Sequence, residues 1–358
     1  VSVKDFTPYG FDFNGCRQIS FADYEKLKSS GCVPQKGDIL IGKDGARYFE
    51  DIIIYNQDEA PALLSSIAIL RCDEEKVIPE YLYYLLKTPS FKKDVKDNYG
   101  SGSAIPRIIL KDFKRMKVKY PSIEKQRQIV SILHDLDAKI FNNQKVNDNL
   151  EQQAAALFSS LYNRSNTEVR YTDLIQILGG GTPKTGETAY WNGNIAFFTP
   201  KDVGTPYTFI TEKTITEEGL SHCNSRLYPV NTVFVTARGT VGKVGLSGVP
   251  MAMNQSCYAL VGKETHQLLV YFYTLKAVDR LKHKASGAVF DAITTRDFDS
   301  EQIMKLSDDD AKAFLCVAEP MFQEILNNSI ENLRLSTLRD FLLPKLMSGE
   351  IDVSSVQL

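Results

Sequence analysis

The chain has 358 residues, of which 43% are hydrophobic, and this is enough apolar material for two ordinary cores. A formal net charge of −2 excludes a uniformly basic nucleic-acid binder, and no apolar stretch approaches the roughly 20 residues that a membrane span requires. Six cysteines without a C-x-x-C pair argue against a zinc ribbon and predict reduced thiols in a cytoplasmic protein.

Residues 1–120 predict a mixed, strand-rich unit. The β-branched runs DIIIY (Asp51 to Tyr55) and SSIAIL (Ser65 to Leu70) alternate with turns marked by glycine or proline. PEYLYYLLKTPSFKKDV, from Pro79 to Val95, predicts a helix because proline stands at a plausible first helical position and apolar residues follow at helical spacing. The stretch GSGSAI (Gly100 to Ile105) then precedes LKDF (Leu110 to Phe113).

A long helix is predicted over residues 121–164. Its apolar seam advances by alternate steps of four and three residues, the spacing of a helix that lies along another helix over several heptads. Residues 124–162 would span about 60 Å at 1.5 Å per residue. Two of the seam positions are asparagine, in the order Ile129, Leu133, Leu136, Ile140, Asn143, Asn147, Leu150, Ala154, Leu157 and Leu161.

Residues 165–306 predict a second strand-rich unit. Its strand runs are NTVFVTA (Asn231 to Ala237) and SCYALV (Ser256 to Val261), and a helix is predicted at His266 to Lys284. ASGAVFDAI (Ala285 to Ile293) and TRDF (Thr295 to Phe298) follow.

A second long helix is predicted over residues 307–350, before a tail at 351–358. From residue 307 onward four Lys and Arg residues stand against nine Asp and Glu residues, so the acidity of the chain is concentrated here. The seam repeats the same steps and again includes two asparagines, in the order Phe314, Ala318, Met321, Ile325, Asn328, Asn332, Leu335, Arg339, Leu342 and Leu346.

The two halves are an internal duplication. The seams match at a constant offset of 185 residues, from Ile140 and Ile325 (325 − 140 = 185) to Leu161 and Leu346 (346 − 161 = 185). LKDF and TRDF share this offset. Because Val1 aligns near residue 198, the first copy is predicted to lack the segment equivalent to Gly179 to Phe198. The missing initiating Met predicts a start that was deleted or that lies outside the given sequence.

No motif predicts catalysis. ARGTVGKVG (Ala237 to Gly245) lacks the GK[ST] ending of a phosphate loop and no helix pattern follows it, so a hairpin with a glycine turn is predicted. GGGTP (Gly179 to Pro183) has no strand-loop-helix pattern for a dinucleotide or a methyl donor. The four histidines have neither ligand nor triad spacing, and no acid cluster with a following lysine indicates a metal-dependent nuclease.

Four strings in duplicated order resemble the DNA specificity subunit of type I restriction–modification systems over essentially the whole chain. They are PSIEKQRQIVSIL (Pro121 to Leu133), WNGNIAFFTPKDV (Trp191 to Val203), NQSCYAL (Asn254 to Leu260) and LRDFLLPKLMSGEI (Leu338 to Ile351). The resemblance implies an α+β protein with two target-recognition domains related by internal duplication and separated by two long antiparallel helices that form a coiled coil.

The resemblance also implies the partners of the chain. Each domain would read half of a bipartite site in double-stranded DNA, and the chain would bind two modification (methyltransferase) subunits and restriction subunits. S-adenosylmethionine, ATP and Mg²⁺ would be held by those partners, and this non-catalytic chain would bind no cofactor or metal. The segment predicted to be missing bears on whether the first domain reads DNA.

Loops that enter a major groove would read bases while Lys and Arg hold phosphates. The candidates are Lys43, Arg47 and Arg107 in the first domain and Lys201, Arg238, Lys243 and Arg296 in the second. An ordinary surface charge is the alternative for each of them.

The four asparagines are predicted to set the register of the helices, with an ordinary polar break at the solvated centre of a long helix pair as the alternative. In an antiparallel pair the facing residue numbers have a constant sum, and 475 pairs Asn143 with Asn332 (143 + 332 = 475) and Asn147 with Asn328 (147 + 328 = 475). A one-heptad slip would place each amide against an apolar side chain, at a cost of about 1–3 kcal/mol per unsatisfied group. The register would in turn fix the spacing of the two DNA half-sites.

Two other functions fit the same pattern. The sequence could be the targeting segment of a longer single-chain DNA methyltransferase or nuclease. Alternatively, the recognition domains could be degenerate and the coiled coil an assembly scaffold.

Overall fold

The chain forms two compact units in a computed structural model that describes residues 1–7, 10–100, 106–204, 206–284 and 292–354. One unit consists of Val1–Ile140 with Leu333–Leu358, and the other is Phe141–Asn332. Of the two repeated Gly/Ser/Ala stretches, residues 101–105 and 285–291 lie outside the described residues. The domain limits drawn from the sequence, at residues 120, 164, 306 and 350, stay predictions.

The first unit is built around an antiparallel sheet whose central strand is fully buried. In chain order its elements are β1 (Phe6–Thr7), β2 (Gly10–Phe11), α1 (Phe21–Ser29), β3 (Ile39–Gly42), β4 (Ile52–Ile54), β5 (Ile67–Leu70), α2 (Pro79–Lys87), α3 (Pro89–Asn98), α4 (Leu110–Phe113) and the first part of α5 (Ile123–Arg164). β3 lies between β4 and β5, with Ile39 opposite both Ile54 and Leu70.

The helix predicted from Pro79 to Val95 is two helices, so the prediction of one continuous helix is wrong. Pro89 has no N–H to donate, and its ring excludes the helical conformation at the residue before it. Thr88 is accordingly extended, at φ −61° and ψ 141°, and its Oγ1 accepts a hydrogen bond from the Phe91 N–H at 3.3 Å as the cap of α3.

The described residues of the second unit form three sheets and several helices. Its elements are the rest of α5, β6 (Thr167–Arg170), α6 (Tyr171–Leu174), β7 (Ile175–Gly179), β8 (Trp191–Phe198), β9 (Tyr207–Thr208), β10 (Lys213–Ile215), α7 (Glu217–Ser221), β11 (Val233–Thr236), β12 (Val244–Ser247), β13 (Met251–Met253), β14 (Cys257–Gly262), α8 (Gln267–Lys284), α9 (Thr295–Ser300), β15 (Gln302–Lys305) and α10 (Asp308–Ser348), the last shared with the first unit. The sheet orders are β7-β14-β11-β12-β9, β10-β8-β13 and β15-β6.

The sheets confirm the duplication. β11 pairs antiparallel with β12 and β14 as β3 pairs with β4 and β5. The helix after the third strand starts 188 residues later in the second unit, at Gln267 against Pro79 (267 − 79 = 188). β14 also pairs with β7, whereas the described residues of the first unit contain no counterpart of β7 or β8.

Segments of α5 and α10 pack antiparallel inside each unit. In the second unit the Phe158 ring contacts Phe314, with ring centroids 5.4 Å apart, and Arg164 pairs with Asp310 at 2.5 Å. In the first unit Leu133 and Leu343 share one apolar cluster, and Asp137 accepts a hydrogen bond from Arg339 at 2.7 Å. Pro320 lies inside α10, which continues through it.

The asparagines of the seam face each other in the second unit. Asn143 Nδ2 donates to Asn332 Oδ1 at 2.9 Å, and Asn328 Nδ2 donates to Asn147 Oδ1 at 3.0 Å. Asn143 also donates to Glu331 at 2.7 Å. These are the two pairs whose residue numbers sum to 475. Their role in fixing the register stays a prediction.

Replacing all four asparagines by Leu is expected to raise the free energy of unfolding and to loosen the register. The substitution removes buried amides from an apolar seam, but it also removes the penalty on slipped pairings. Chemical denaturation measures the stability. Disulfide formation measures the register, using Ile140→Cys with Leu335→Cys for the native pairing and Ile140→Cys with Leu342→Cys for a one-heptad slip.

The single variant Asn147→Leu is the control for this prediction. It leaves the Asn328 amide without its partner and should lower the stability by about 1–3 kcal/mol. A fourfold Leu variant that is less stable than the unchanged chain, or that still cross-links only the native pair, would contradict the register role.

Candidate nucleic-acid interface

The turn between β11 and β12, residues 237–243, carries two of the predicted DNA-binding cations. Thr236 closes it, because its N–H donates to the Lys243 carbonyl at 3.0 Å and its Oγ1 accepts from the Lys243 N–H at 2.9 Å. Gly242 N–H also donates to the Thr236 carbonyl at 2.8 Å. The segment is therefore a hairpin turn, as the sequence predicted, and not a phosphate loop.

Two glycines give this turn its shape. Gly239 and Gly242 have φ values of +81° and +74°, a left-handed region that residues with a Cβ avoid. A Cβ at Gly242 would lie 2.5 Å from Lys282 Cε and 3.1 Å from Val278 Cγ1, whereas at Gly239 the nearest atom is 3.9 Å away. Of the two glycines, it is therefore Gly242 whose missing side chain allows the turn to pack directly against the end of α8.

Three other chain segments hold the turn in place. Ala237 N–H donates to the Ser256 carbonyl at 2.8 Å, and Ile293 N–H donates to the Ala237 carbonyl at 2.9 Å. Thr240 Oγ1 donates to the Pro200 carbonyl at 3.0 Å. Backbone fixed at this many points changes little on binding, so the side chains on the turn are presented from a rigid base.

Three of the four predicted cations of the second unit come together at this turn. Arg238 and Lys243 are exposed on it, and Lys201 follows Pro200, which the turn contacts. Lys201 pairs with Glu212 at 3.4 Å, with side chains 79% and 57% exposed, and such a pair contributes about 0–1 kcal/mol and can be exchanged for a phosphate. Arg296 instead lines a separate shallow depression with Gln176, Lys263 and Asp299.

The equivalent loop of the first unit, residues 43–51, brings its three predicted cations together. Ile108 N–H donates to the Lys43 carbonyl at 2.9 Å, and Asp44 forms a β-bridge with Arg107. These contacts match the Ile293 to Ala237 bond and the bridge between Arg238 and Ala292 in the second unit. The duplication therefore places Lys43, Arg47 and Arg107 around the loop that corresponds to the β11–β12 turn.

The two loops differ in charge. Lys43 Nζ lies 3.3 Å from Asp44, and Arg47 is hydrogen-bonded to Asp51 at 2.8 Å. That hydrogen bond raises the pKa of Arg47 above its ordinary value. In the part of the chain that the structure describes, neither Arg238 nor Lys243 has a side-chain contact with an acid. The turn of the second unit is therefore the more positive one.

Lys282 belongs to this basic surface although sequence reasoning missed it. Its Nζ lies 3.4 Å from the Cβ position of Gly242, next to the turn. In the sequence, the run KHK at the end of α8 indicates a basic helix end. Only the packing of the turn on α8 shows that Lys282 of this run lies beside the β11–β12 turn.

The described residues contain no group of three or more His, Cys, Asp or Glu residues that could hold a metal ion. Burial raises the pKa of the Cys257 thiol to about 12, so this thiol is not a nucleophile at neutral pH. Among these residues no helix is both long and apolar enough to span a bilayer.

Comparison with known proteins gives a consistent result. The family model described as "Type I restriction modification DNA specificity domain" matches twice, at residues 10–152 and 163–305. The chain is 24% identical over 310 residues to the type I restriction enzyme MjaIX specificity subunit of Methanocaldococcus jannaschii, covering 79% of this chain and 71% of that protein. It is also 24% identical over 406 aligned positions to the HindI specificity subunit of Haemophilus influenzae, covering 88% and 87%.

A solved structure has the same fold. The crystal structure of the type I restriction–modification S subunit from M. genitalium superposes with a TM-score of 0.57 at 16% sequence identity, over 87% of this chain and 83% of that one. At this identity the similarity supports the fold alone.

The packing of the turn on α8 predicts different costs for alanine at its two glycines. Gly239→Ala should lower the stability by about 1–2 kcal/mol, the cost of a left-handed residue with a Cβ. Gly242→Ala should cost roughly 1–3 kcal/mol more, since its Cβ also meets Val278 and Lys282. Chemical denaturation of both variants checks this, and equal losses would show that the turn does not pack on α8.

Proposed function

Because the chain belongs to the type I restriction modification DNA specificity family, we propose that it reads a bipartite double-stranded DNA site through one loop in each unit. The single observation that carries this proposal is the duplicated family domain, at residues 10–152 and 163–305. Each copy contains one anchored loop that bears cations, residues 43–51 in the first unit and 237–243 in the second.

The chemistry of the loops suits DNA. The Arg238 guanidinium can donate two parallel hydrogen bonds to guanine O6 and N7 in the major groove, which is the commonest base-specific protein contact. The Lys243 and Lys201 ammonium groups are point charges, which suit phosphate oxygens. A net charge of −2 gives the whole chain little attraction for DNA, so binding would depend on these local clusters.

The catalytic steps belong, in this proposal, to other chains. Two modification subunits would supply the methyltransferase site with its S-adenosylmethionine, and restriction subunits would supply ATP- and Mg²⁺-dependent cleavage. This chain would determine which DNA sequence the complex recognises. The argument rests on the family and on the absence of a donor-binding loop from the sequence.

The first test is enzymatic. The purified chain should neither methylate nor cleave DNA, and it should confer sequence-specific adenine methylation when it is mixed with the modification subunits of its own system. Transfer of a labelled methyl group measures methylation by the isolated chain and by the mixture, and sequencing of the methylated sites measures the sequence specificity. Methyl transfer by the isolated chain would contradict the division of labour proposed above.

The second test addresses the turn of the second unit. Arg238→Ala should weaken recognition of the target by roughly 1–3 kcal/mol and relax the sequence preference at one position if the side chain reads a base. Lys243→Ala should weaken binding to every sequence and reduce the slope of log affinity against log salt by about 1 if it contacts a phosphate. Fluorescence anisotropy with labelled duplexes at several salt concentrations measures both effects.

Lys312→Ala, an exposed cation on α10, is the matched control and should leave affinity unchanged. If Arg238→Ala and Lys243→Ala behave like this control at every salt concentration, the turn is not part of the DNA-binding surface.

A further inference from the structure

A buried carboxylate at the end of α8 holds two cations. The Glu301 side chain is fully buried. Its Oε1 accepts a hydrogen bond from Lys284 Nζ, and its Oε2 lies 3.5 Å from Arg280 Nε but makes no hydrogen bond in the described part of the chain. Arg280 and Lys284 are one helical turn apart, so both side chains leave the same face of α8.

The first unit contains the same arrangement on α3. Lys92 Nζ and Lys96 Nζ lie 2.7 Å and 2.5 Å from the two carboxylate oxygens of Glu50. Burial raises the pKa of Glu50, but the hydrogen bonds and charges of the two lysines outweigh it, and the net pKa lies below its ordinary value. Glu50 is therefore ionised at neutral pH, and the cluster of three side chains has a net charge of +1.

The cation pairs have the same sequence offset from the start of their helices. Arg280 follows Lys92 by 188 residues (280 − 92 = 188) and Lys284 follows Lys96 by the same number (284 − 96 = 188), which is also the offset between the first residues of α8 and α2. Their surroundings differ, because Pro89 divides the first helix into α2 and α3 whereas α8 is continuous, and because Glu50 belongs to the β3–β4 loop whereas Glu301 follows α9.

One acid and one base suffice to link a helix to a loop. Each copy instead places two cations beside a single acid, which a purely linking role does not require. Arg280 and Lys284 remain 42% and 56% exposed, and Lys96 is 45% exposed. An ammonium group has three N–H donors and a guanidinium five, so each clamped cation keeps donors that point to solvent.

The cluster of the first unit lies next to the loop of the proposed DNA-binding surface. Glu50 is in the same loop as Arg47, one residue before Asp51, to which Arg47 is hydrogen-bonded. In the second unit Lys282 packs beside Gly242 of the β11–β12 turn, and Arg280 and Lys284, each two residues from Lys282, leave α8 on the opposite side. A phosphate backbone carries one negative charge per roughly 1.7 Å of duplex, so a groove-reading loop has phosphates within reach of its neighbours.

We propose that the clamped pair of Lys92 and Lys96 is a phosphate-binding element beside the reading loop of the first unit, and that Glu50 is a positioning residue that preorganises it. This inference rests on the proposed DNA-binding function. Fixing two long side chains before binding removes part of the entropy cost of ordering them on DNA. The carboxylate therefore aids DNA binding although it carries the same sign of charge as DNA.

The sign of one substitution effect tests the positioning role. Glu50→Gln removes a negative charge, so a purely Coulombic account predicts tighter binding to any duplex. A positioning role predicts weaker binding, by about tenfold, since the free energy of one hydrogen bond to a charged group corresponds to about a tenfold change in affinity. The assay is anisotropy of the full chain with a labelled mixed-sequence duplex at several salt concentrations, which requires no knowledge of the recognised site.

Alanine variants test the phosphate contacts. Lys96→Ala should reduce the slope of log affinity against log salt by about 1. Lys93→Ala is the matched control: Lys93 lies on the same helix as Lys96, is exposed and pairs with Asp97, and it should leave the slope unchanged. Thermal unfolding of each variant tests folding.

The results separate this inference from the function on which it rests. An unchanged chain that binds no duplex would refute the proposed function. If the unchanged chain binds, equal or tighter binding by Glu50→Gln overturns the positioning role, and a salt slope for Lys96→Ala that matches that of Lys93→Ala overturns the phosphate contact.

Discussion

One backbone hydrogen bond sets the geometry of the basic surface in each unit. The Ile108 N–H donates to the Lys43 carbonyl, and the Ile293 N–H donates to the Ala237 carbonyl, both at 2.9 Å. Each bond joins the end of the central strand to the segment just before the short helix α4 or α9. This segment therefore lies beside the end of the central strand, at the loop that carries the cations. A buried peptide group that lost this partner would cost about 1–3 kcal/mol, so the contact between strand end and segment is strongly fixed.

The surroundings of the loop follow from that contact. In the second unit the turn fills the space over the last turns of α8, where Gly242 leaves room for Lys282. In the first unit the loop contributes Glu50 to the lysines of α3. Both copies therefore bring a loop and a helix end together, although the contacts that join them are different. Duplicated backbone geometry has been retained while the side chains that exploit it have diverged.

The paired asparagines illustrate a second constraint, in which stability and uniqueness of structure compete. Leucine at Asn143, Asn147, Asn328 and Asn332 would bury more apolar surface, and a seam made only of apolar residues has several pairings of similar energy. Each Asn pair satisfies its amides only with its own partner, so one pairing is favoured over the others.

The sequence by itself determined the duplication, the two long helices, the facing asparagines and the hairpin at Ala237 to Gly245, because these depend on periodicity and on glycine, which are local properties. It also predicted the candidate cations of both loops. Only the tertiary structure decided that Pro89 divides the helix into α2 and α3, that Arg296 lies apart from the turn, and that Lys282 lies beside it. The clamps of Glu50 and Glu301 were equally hidden, since their partners lie 42 and 17 residues away in the chain. Contacts between distant residues depend on how sheets and helices pack, and no local pattern encodes that packing.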